Sequence, residues 1–324
     1  ELLGRPTNNS IDVQMMFSDS VDVYVEYGTS SGIYSNQTSH LTIAPNEPAE
    51  FSLTGLQPDT KYFYRFQCRH SGVGAFSPRP EYTFRTQRPS GSAFTFVVQA
   101  DPHLDSQTDT AIYMRCLQNQ LEDSPDFMID LGDFLMTDKL RNASNQVPHD
   151  TIPFRCNLLR SYYDNVCHSV PLYIALGNHE GEAGWYLNGT SNNIAIWDAQ
   201  ERMKYFMNPA PDSFYTGDTT NNQYIGEREN YFAWTWGDAQ FIVLDPYWYT
   251  TVKPDSLHGW RWTLGATQYN WLKKTLESSK ASFKFVFAHH VNGTGRGGVE
   301  RADLFEWGGK GQNGQWQFDQ YRKG

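Results

Sequence analysis

Residues 171–180 read PLYIALGNHE, a short apolar run that passes directly into Gly-Asn-His-Glu. An apolar run of this length is typical of a buried strand. Three further segments have the same form, an apolar run that ends in ligand-type residues: 94–103 (FTFVVQADPH), 127–133 (FMIDLGD) and 283–290 (FKFVFAHH). Because ligands bind at the carboxyl ends of strands in open α/β sheets, these four segments predict one shared site.

The stretches between these segments indicate that strands alternate with helices. Residues 108–123 have the apolar period of a helix, and residues 271–276 lie in a second one. Residues 231–236 and 240–244 form a predicted strand pair across a Gly-Asp turn. This alternation places residues 93–324 in the α/β class.

The first quarter of the chain, residues 1–88, has no helical period and predicts an all-β domain. Its strand-like segments are separated by turn-rich stretches and comprise residues 21–27, 49–53, 61–67 and 81–86. The pattern is typical of an immunoglobulin-like sandwich of seven strands. Residues 89–92, Pro-Ser-Gly-Ser, predict a linker between the two domains.

The four strand ends carry residues that bind cations, namely Asp101, His103, Asp133, Asn178 and His289. Carboxylate, imidazole and amide oxygen suit manganese, zinc or iron. Two such ions about 3.5–4 Å apart can share a carboxylate and a hydroxide, and Asp133, alone at its strand end, is placed to be the shared carboxylate. Each residue taken singly has an ordinary explanation, such as a turn for Asp133, so the prediction depends on their joint order.

The order Asp-x-His, Gly-Asp, Gly-Asn-His-Glu and a later His resembles the signature of the calcineurin-like metallophosphoesterase superfamily, from about Phe94 onward. The resemblance implies a four-layer β-sandwich flanked by helices and a pair of metal ions. It implies hydrolysis of a phosphate ester, either a monoester or a diester, by a metal-bridging hydroxide. The substrate would be a small-molecule or nucleotide-type phosphate ester.

The same resemblance implies a role for each candidate residue. The metal ligands would be Asp101 and His103 on the first ion, Asp133 as the bridge, and Asn178 and His289 on the second ion. His179 would act in catalysis with Asp133, by stabilising the phosphoryl group or protonating the leaving oxygen. The predicted substrate contacts are Asn178, His179, His290, Arg296, Trp185 and Tyr186. Glu180, Asp105 and Asp130 are predicted to orient the ligating imidazoles, with helix capping as the alternative for Asp105.

Residues 53–67, LTGLQPDTKYFYRFQ, resemble the E–F corner of fibronectin type III domains and the N-terminal domain of purple acid phosphatases. Either Tyr62 or Tyr64 is expected to brace this corner, in a domain that serves as a spacer. Purple acid phosphatases carry a tyrosine three residues after the bridging aspartate, where this chain has Met136. We therefore expect no purple charge-transfer band.

One motif of the superfamily is missing, because no Gly-His-x-His follows His290. We expect the chain to be a fragment that ends within its second domain. One alternative is that another chain supplies the missing ligands. The other is a catalytically inactive extracellular binding or adhesion protein with a degenerate metallophosphoesterase domain. A third class, another two-metal hydrolase such as an aminopeptidase, conflicts with the order of the motifs.

Composition limits the partners and the compartment. A formal charge of −10 argues against binding to nucleic-acid duplexes, and no apolar run is long enough to predict a membrane span. Five glycosylation sequons and the absence of an initial Met predict a mature, exported glycoprotein, extracellular or periplasmic. The four cysteines form no Cys-x-x-Cys pair, and Cys156 and Cys167 either close a short disulfide loop or remain free thiols. The sequence does not indicate an oligomeric state.

Overall fold

The computed structural model describes residues 1–253 and 262–290. Its first part has nine strands: β1 (Leu2–Gly4), β2 (Ser10–Met15), β3 (Val21–Gly28), β4 (Asn36–Gln37), β5 (Leu41–Ile43), β6 (Ala49–Thr54), β7 (Lys61–His70), β8 (Ser77–Pro78) and β9 (Tyr82–Arg85). Strands β1, β2 and β6 form one sheet, and the other six form a second sheet around β3 and β7. The sequence predicted seven strands, and the structure has nine. The two extra strands, β4 and β8, are only two residues long, which is too short to show an alternating pattern.

The apolar residues that alternate along these strands point into one core between the two sheets, which contains Val23, Val25, Leu53 and Phe66. The corner after β6 is braced by Tyr62, whose hydroxyl oxygen accepts the backbone N–H of Gln57 at 2.9 Å. The two tyrosines of the corner therefore differ in role, which the sequence left open.

The second tyrosine connects the sandwich to the rest of the chain. The hydroxyl of Tyr64 donates to the carbonyl of His168 at 2.7 Å. The ring of Tyr82 stacks on the His168 ring, with 4.0 Å between the ring centroids. Leu2 and Leu3 on β1 lie in two different hydrophobic cores, because Leu2 packs with the helices of the second part and Leu3 with the sandwich.

The second part alternates strands and helices: β10 (Phe96–Gln99), α1 (Thr110–Glu122), β11 (Phe127–Asp130), α2 (Thr151–Cys167), β12 (Leu172–Ile174), α3 (Ile194–Tyr205), β13 (Thr216–Gly217), β14 (Phe232–Trp236), β15 (Ala239–Val243), α4 (Gly265–Ser278) and β16 (Phe283–Phe287). Strands β10, β11 and β12 form a parallel sheet. Strands β13 to β16 form a second sheet, in which β15 and β16 run parallel. The carboxyl ends of β10, β11 and β12 therefore meet at one edge, as those of β15 and β16 do.

Side-chain alternation on β11 shows how the layers are stacked. Phe127 and Ile129 face the second sheet, in a core rich in aromatic residues such as Trp234. Met128 faces the opposite way, into a core with Leu159 of α2. Helix α4 covers the outer face of the second sheet. The layers thus follow the order helix, sheet, sheet, helix, which is the four-layer arrangement predicted from the sequence.

Helix α2 rules out the disulfide that the sequence left open. Cys156 and Cys167 both lie on α2, are fully buried and are free thiols. Eleven residues of helix separate them by about 16 Å along the axis, far more than the ~5.5 Å between the α-carbons of a disulfide. Among the described residues, no helix is long and apolar enough to cross a membrane.

Candidate metal centre

Side chains from both sheets converge at the carboxyl ends of the strands. Ligand atoms of Asp101, Asp133 and His289 lie within 4.8 Å of one another. His103 joins them, with its Nε2 at 3.3 Å from Asp101 Oδ1 and 3.8 Å from Asp133 Oδ2. Four of the five predicted metal ligands therefore surround one point, although 188 positions separate Asp101 from His289 in the sequence.

The two histidines present nitrogen atoms that suit a cation. The Nδ1 of His289 is 3.0 Å from the Leu131 carbonyl, which only accepts, so Nδ1 carries the proton. Its Nε2 is 3.4 Å from Asp133 Oδ2. The Nε2 of His103 is shielded from solvent and has no hydrogen-bond partner within the described residues. An unpartnered buried nitrogen beside two carboxylates fits a metal ligand, since leaving it without any partner is costly.

Charges at this point favour a bound cation. Burial lowers the pKa of His289, but the hydrogen bond with Asp133 and the charge of that carboxylate outweigh burial and raise it to about 9. Burial raises the pKa of Asp133, but His289 and the backbone N–H of His179 outweigh it, so the net shift is downward. The carboxylates thus draw positive charge to the position between them.

Backbone strain is concentrated in the same turns. Asp101, His103 and Asp133 have φ angles of 56°, 46° and 56°, in the left-handed region that residues with a side chain adopt rarely. Gly132 has a φ of 100°, and a Cβ added to it would overlap the backbone of Gly177. The strained turn after β11 therefore touches the turn after β12, and the two are held together at the centre.

Glu180 locks these two turns together. Its carboxylate is fully buried and accepts the backbone N–H groups of Asp133 at 3.0 Å, Phe134 at 2.8 Å and Leu135 at 3.2 Å, and also that of Gly177. We expected Glu180 to orient an imidazole, and this was wrong, because backbone donors occupy the carboxylate.

Arg155 on α2 holds the other side of the same turns. Its buried guanidinium donates to the carbonyls of Leu135 at 2.9 Å and Leu104 at 3.0 Å, and to those of His103 and Phe134. These carbonyls flank His103 and Asp133, so one side chain holds two ligand-bearing turns. The role of Arg155 was not predicted from the sequence, because α2 was not predicted.

The other two residues expected to orient imidazoles also have different contacts. Asp130 accepts from the N–H of Gly132 at 2.9 Å, from Gln99 at 2.6 Å and from the Tyr163 hydroxyl at 2.8 Å, and burial raises its pKa to about 6. Asp105 lies 3.9 Å from His103 Nδ1, too far for a hydrogen bond. The alternative role for Asp105 was also wrong, since Asp109 caps α1.

His179 is oriented by a carboxylate that the sequence analysis missed. Its Nδ1 lies 2.7 Å from Asp138 Oδ1, and its backbone N–H donates to Asp133 at 2.8 Å. Asp138 also accepts from the Tyr186 hydroxyl at 3.3 Å and lies 3.6 Å from the Lys253 ammonium. Asp138 belongs to a short 3₁₀ turn, Thr137–Lys139. The one sequence feature that could have indicated its role is its position, five residues after Asp133.

The remaining predicted substrate contacts form an aromatic wall beside the centre. The His290 ring lies 4.4 Å from the Trp262 ring and 5.4 Å from the Tyr247 ring, centroid to centroid. Trp185 packs on Trp262 at 5.7 Å. Burial and the neighbouring His289 lower the pKa of His290 to about 4.

Two of the predicted residues stay untested. Asn178 is half-buried between Gly177 and His179, and its part in binding a metal or substrate stays a prediction. Arg296 lies outside the described residues.

Comparison with known proteins adds independent findings. A family model described as calcineurin-like phosphoesterase matches residues 94–318. Purple acid phosphatase 23 of Arabidopsis thaliana is 25% identical over 295 residues, which cover 82% of this chain and 55% of that protein. This chain thus spans about half the length of the curated relative.

Two solved structures share the fold. A structure of PhoD superimposes with a TM-score of 0.63 at 18% identity, over 88% of this chain and 60% of that one. Purple acid phosphatase PPD1 from yellow lupin (Lupinus luteus) seeds superimposes with a TM-score of 0.60 at 19% identity, over 90% of this chain and 51% of that one. These likenesses confirm the predicted mixed α/β fold with its N-terminal β-sandwich region.

Proposed function

Because the chain belongs to the calcineurin-like phosphoesterase family, we propose that it hydrolyses phosphate esters with the help of two metal ions. The observation that carries the proposal is the convergence of Asp101, Asp133 and His289 within 4.8 Å. The unpartnered Nε2 of His103 beside them supports it. Carboxylates and imidazoles are the donor set that manganese, zinc and iron accept.

Each ligand has a proposed place. Asp101 and His103 would hold one ion, Asn178 and His289 the other, and Asp133 would be shared. When bound, the ions would lower the pKa of a water and polarise the phosphoryl oxygens. The residues Glu180 and Arg155 keep the ligand-bearing turns in position, so that the protein need not reorganise when the metal or substrate binds.

His179 is the proposed residue that acts directly on the ester. Because Asp138 accepts its Nδ1–H, the Nε2 of His179 is left to contact a phosphoryl oxygen or to pass a proton to the leaving alcohol. Asp138 acts as a positioning residue for that imidazole, in the manner of the carboxylate partner of a catalytic histidine. Trp185, Tyr186 and His290 of the aromatic wall are further proposed substrate contacts.

The experiment is metal analysis of the purified protein together with hydrolysis of para-nitrophenyl phosphate and of its bis-ester. Asp133→Asn is expected to lose bound metal and to lower turnover by more than about 100-fold, since it removes the shared charge. Asp238→Asn, at the turn between β14 and β15, is the matched control and should keep metal and activity. Full activity in Asp133→Asn would exclude the bridging assignment.

The same measurements decide the alternative of an inactive binding protein. That alternative rests on the missing Gly-His-x-His and requires that neither ester be hydrolysed in the presence of manganese, zinc or iron. Relative rates on the two esters also settle the preference between monoesters and diesters.

Export and glycosylation remain part of the proposal. The acceptor asparagines of the described sequons are all exposed, namely Asn8, Asn36, Asn142 and Asn188. Exposure is a requirement for attachment of a glycan, and occupancy is measured by mass spectrometry after enzymatic deglycosylation.

A further inference from the structure

A cavity of about 560 Å³ runs along α1 and begins at the metal centre. We call it the α1 cleft, and its walls are residues 99–109 and one face of α1. Asp101 and His103 line its inner end, so a molecule whose phosphate is bound at the centre extends directly into it. The volume lies within the range of about 300–1,000 Å³ that small-molecule sites occupy.

The described residues give the α1 cleft no fixed positive charge. Among them, none that lines the cleft is a lysine or an arginine, and Asp105 and Asp109 add two carboxylates. A second phosphate group in the cleft would meet these carboxylates without a counter-charge, which is unfavourable. The cleft therefore suits the neutral part of a phosphate ester rather than a diphosphate or triphosphate tail.

The remaining lining is polar, neutral and held in place. Gln99 Nε2 donates to Asp130 at 2.6 Å and to the Tyr113 hydroxyl oxygen at 3.1 Å. Gln120 Nε2 donates to Gln99 Oε1 at 3.1 Å. Because the oxygen of Tyr113 accepts from Gln99, its O–H proton is left to donate to a ligand. Burial raises the pKa of Tyr113, which keeps that proton on the hydroxyl.

The lining also has less polar groups on α1 itself. Ile112 is 63% exposed, and Cys116, one turn further along the helix, is also exposed. Apolar surface next to fixed hydrogen-bonding groups is the combination that binds a sugar or a nucleoside, which has a carbon skeleton and several hydroxyls.

We propose that the α1 cleft binds the leaving alcohol of the substrate, and that this alcohol is neutral, hydroxyl-bearing and of sugar or nucleoside size. The proposal rests on the proposed phosphoesterase function and narrows it to sugar phosphates or nucleoside monophosphates. In the reaction, a water oxygen bonds to phosphorus as the bond from phosphorus to the alcohol oxygen breaks. The water loses a proton and the alcohol oxygen gains one, so phosphate and the free alcohol leave the centre and the cleft respectively.

The first test measures occupancy of the cleft without any turnover. A methanethiosulfonate reagent with a trimethylammonium group should label Cys116 selectively, because Cys68 is half-buried and Cys156 and Cys167 are fully buried. Saturating adenosine, or glucose in a parallel series, is expected to slow labelling of Cys116 at least about fivefold, since a bound ligand excludes the reagent. Inorganic phosphate alone should not protect it.

The control for labelling is a cysteine outside the cleft. In a Cys116→Ser background, Ile33→Cys places an exposed thiol on the N-terminal sandwich, where Ile33 is 68% exposed. Adenosine and glucose should leave its labelling rate unchanged. Protection by adenosine alone identifies the nucleoside as the ligand, and protection by glucose alone identifies the sugar. Absence of protection by both compounds would overturn the proposal.

The second test uses turnover of esters that differ in the leaving alcohol. Cys116→Trp narrows the cleft and should lower kcat/KM for adenosine monophosphate or glucose 6-phosphate by about 10-fold or more, while methyl phosphate changes by less than about twofold. Ile33→Trp is the control. An equal loss on both kinds of ester would contradict the assignment. If the wild-type protein hydrolyses no ester, the phosphoesterase function fails, and the labelling experiment still decides whether the cleft binds a nucleoside or sugar.

Discussion

Two ionisable side chains buried beside the centre, Glu180 and Arg155, bind backbone groups, and this shapes what each side chain contributes. The Glu180 carboxyl oxygens accept four N–H groups, and the Arg155 guanidinium donates to four carbonyls. Burial and the neighbouring Asp133 charge raise the pKa of Glu180, and the backbone N–H groups oppose that rise only in part. The hydrogen bonds of each side chain therefore fix the shape of a turn, and that turn positions Asp133 and His103.

Glu229 is a half-buried acid whose neighbouring arginines offset its burial only in part. Burial raises its pKa to about 7, and Arg202 and Arg5 only partly oppose that rise. The folded protein therefore binds this proton more tightly than the unfolded chain. The stability that Glu229 contributes is fully present below its unfolded pKa of about 4.5 and is lost as the pH rises toward 7.

Glu229→Gln should remove this loss of stability at high pH, because a glutamine amide is neutral at every pH. We expect the variant to gain about 3 kcal/mol relative to wild type at pH 8, and to show little difference at pH 4.5, in urea unfolding at the two pH values. Glu122→Gln, a change at an exposed glutamate on α1, is the control. A gain that does not depend on pH would show that the charge of Glu229 is not its cause.

Between elements, a buried ion-pair network joins the loops on one side of the centre. Glu182 pairs with Arg202 at 2.5 Å and with Arg228 at 2.8 Å, and Arg228 pairs with Asp245 at 3.0 Å. All four side chains are at most 2% exposed. Arg228 also lies 3.8 Å above the Trp248 ring. The network connects the loop after β12 with α3 and with the loop after β15, and removing one partner would leave a buried charge unpaired.

Because the turns after β11 and β12 are in contact, we expect Gly132→Ala to reduce both stability and metal binding severely. The added methyl would overlap the backbone of Gly177 at a φ that already disfavours alanine. We expect loss of metal binding and a stability loss of more than about 3 kcal/mol, measured by metal analysis and thermal unfolding.

Gly189→Ala separates the effect of the positive φ from the effect of the overlap with neighbouring backbone. Gly189 has a φ of 78° and open space around it. The substitution should cost only about 1 kcal/mol, from backbone strain alone, and should leave metal binding intact. Equal effects of the two substitutions would show that the contact between the turns is unimportant.

The elements that bear the metal ligands were the ones that the sequence predicts best. Strands β10, β11, β12 and β16 are mostly apolar, and their ligands follow within a few residues. Helices α2 and α3 were not predicted, because buried polar residues such as Arg155, Arg160 and Arg202 interrupt their apolar faces. Their partners are backbone carbonyls or distant side chains, which no local period reveals. The role of Asp138 was missed for the same reason, since it depends on the fold bringing His179 to it.

On the scale of the whole molecule, the N-terminal sandwich and the α/β part share contacts that a mere spacer would not need. Tyr215 donates to the carbonyl of Pro6 at 2.6 Å, and Arg160 of α2 binds Gln14 of β2. Strand β1 contributes Leu2 to one core and Leu3 to the other. We infer that the division at residues 89–92, proposed from the sequence, separates two domains that unfold together.

Calorimetry of Leu2→Ala tests this coupling. The wild type should unfold in a single transition whose calorimetric and van't Hoff enthalpies agree. Leu2 is 2% exposed, so Leu2→Ala should cost about 2–5 kcal/mol and lower that one transition as a whole. Leu41→Ala removes the same group from a side chain that is 42% exposed and should have little effect. Two separate transitions, of which Leu2→Ala shifts only one, would show that the sandwich and the α/β part unfold independently. In a single cooperative unit, the loss of one buried side chain would instead lower the one shared transition.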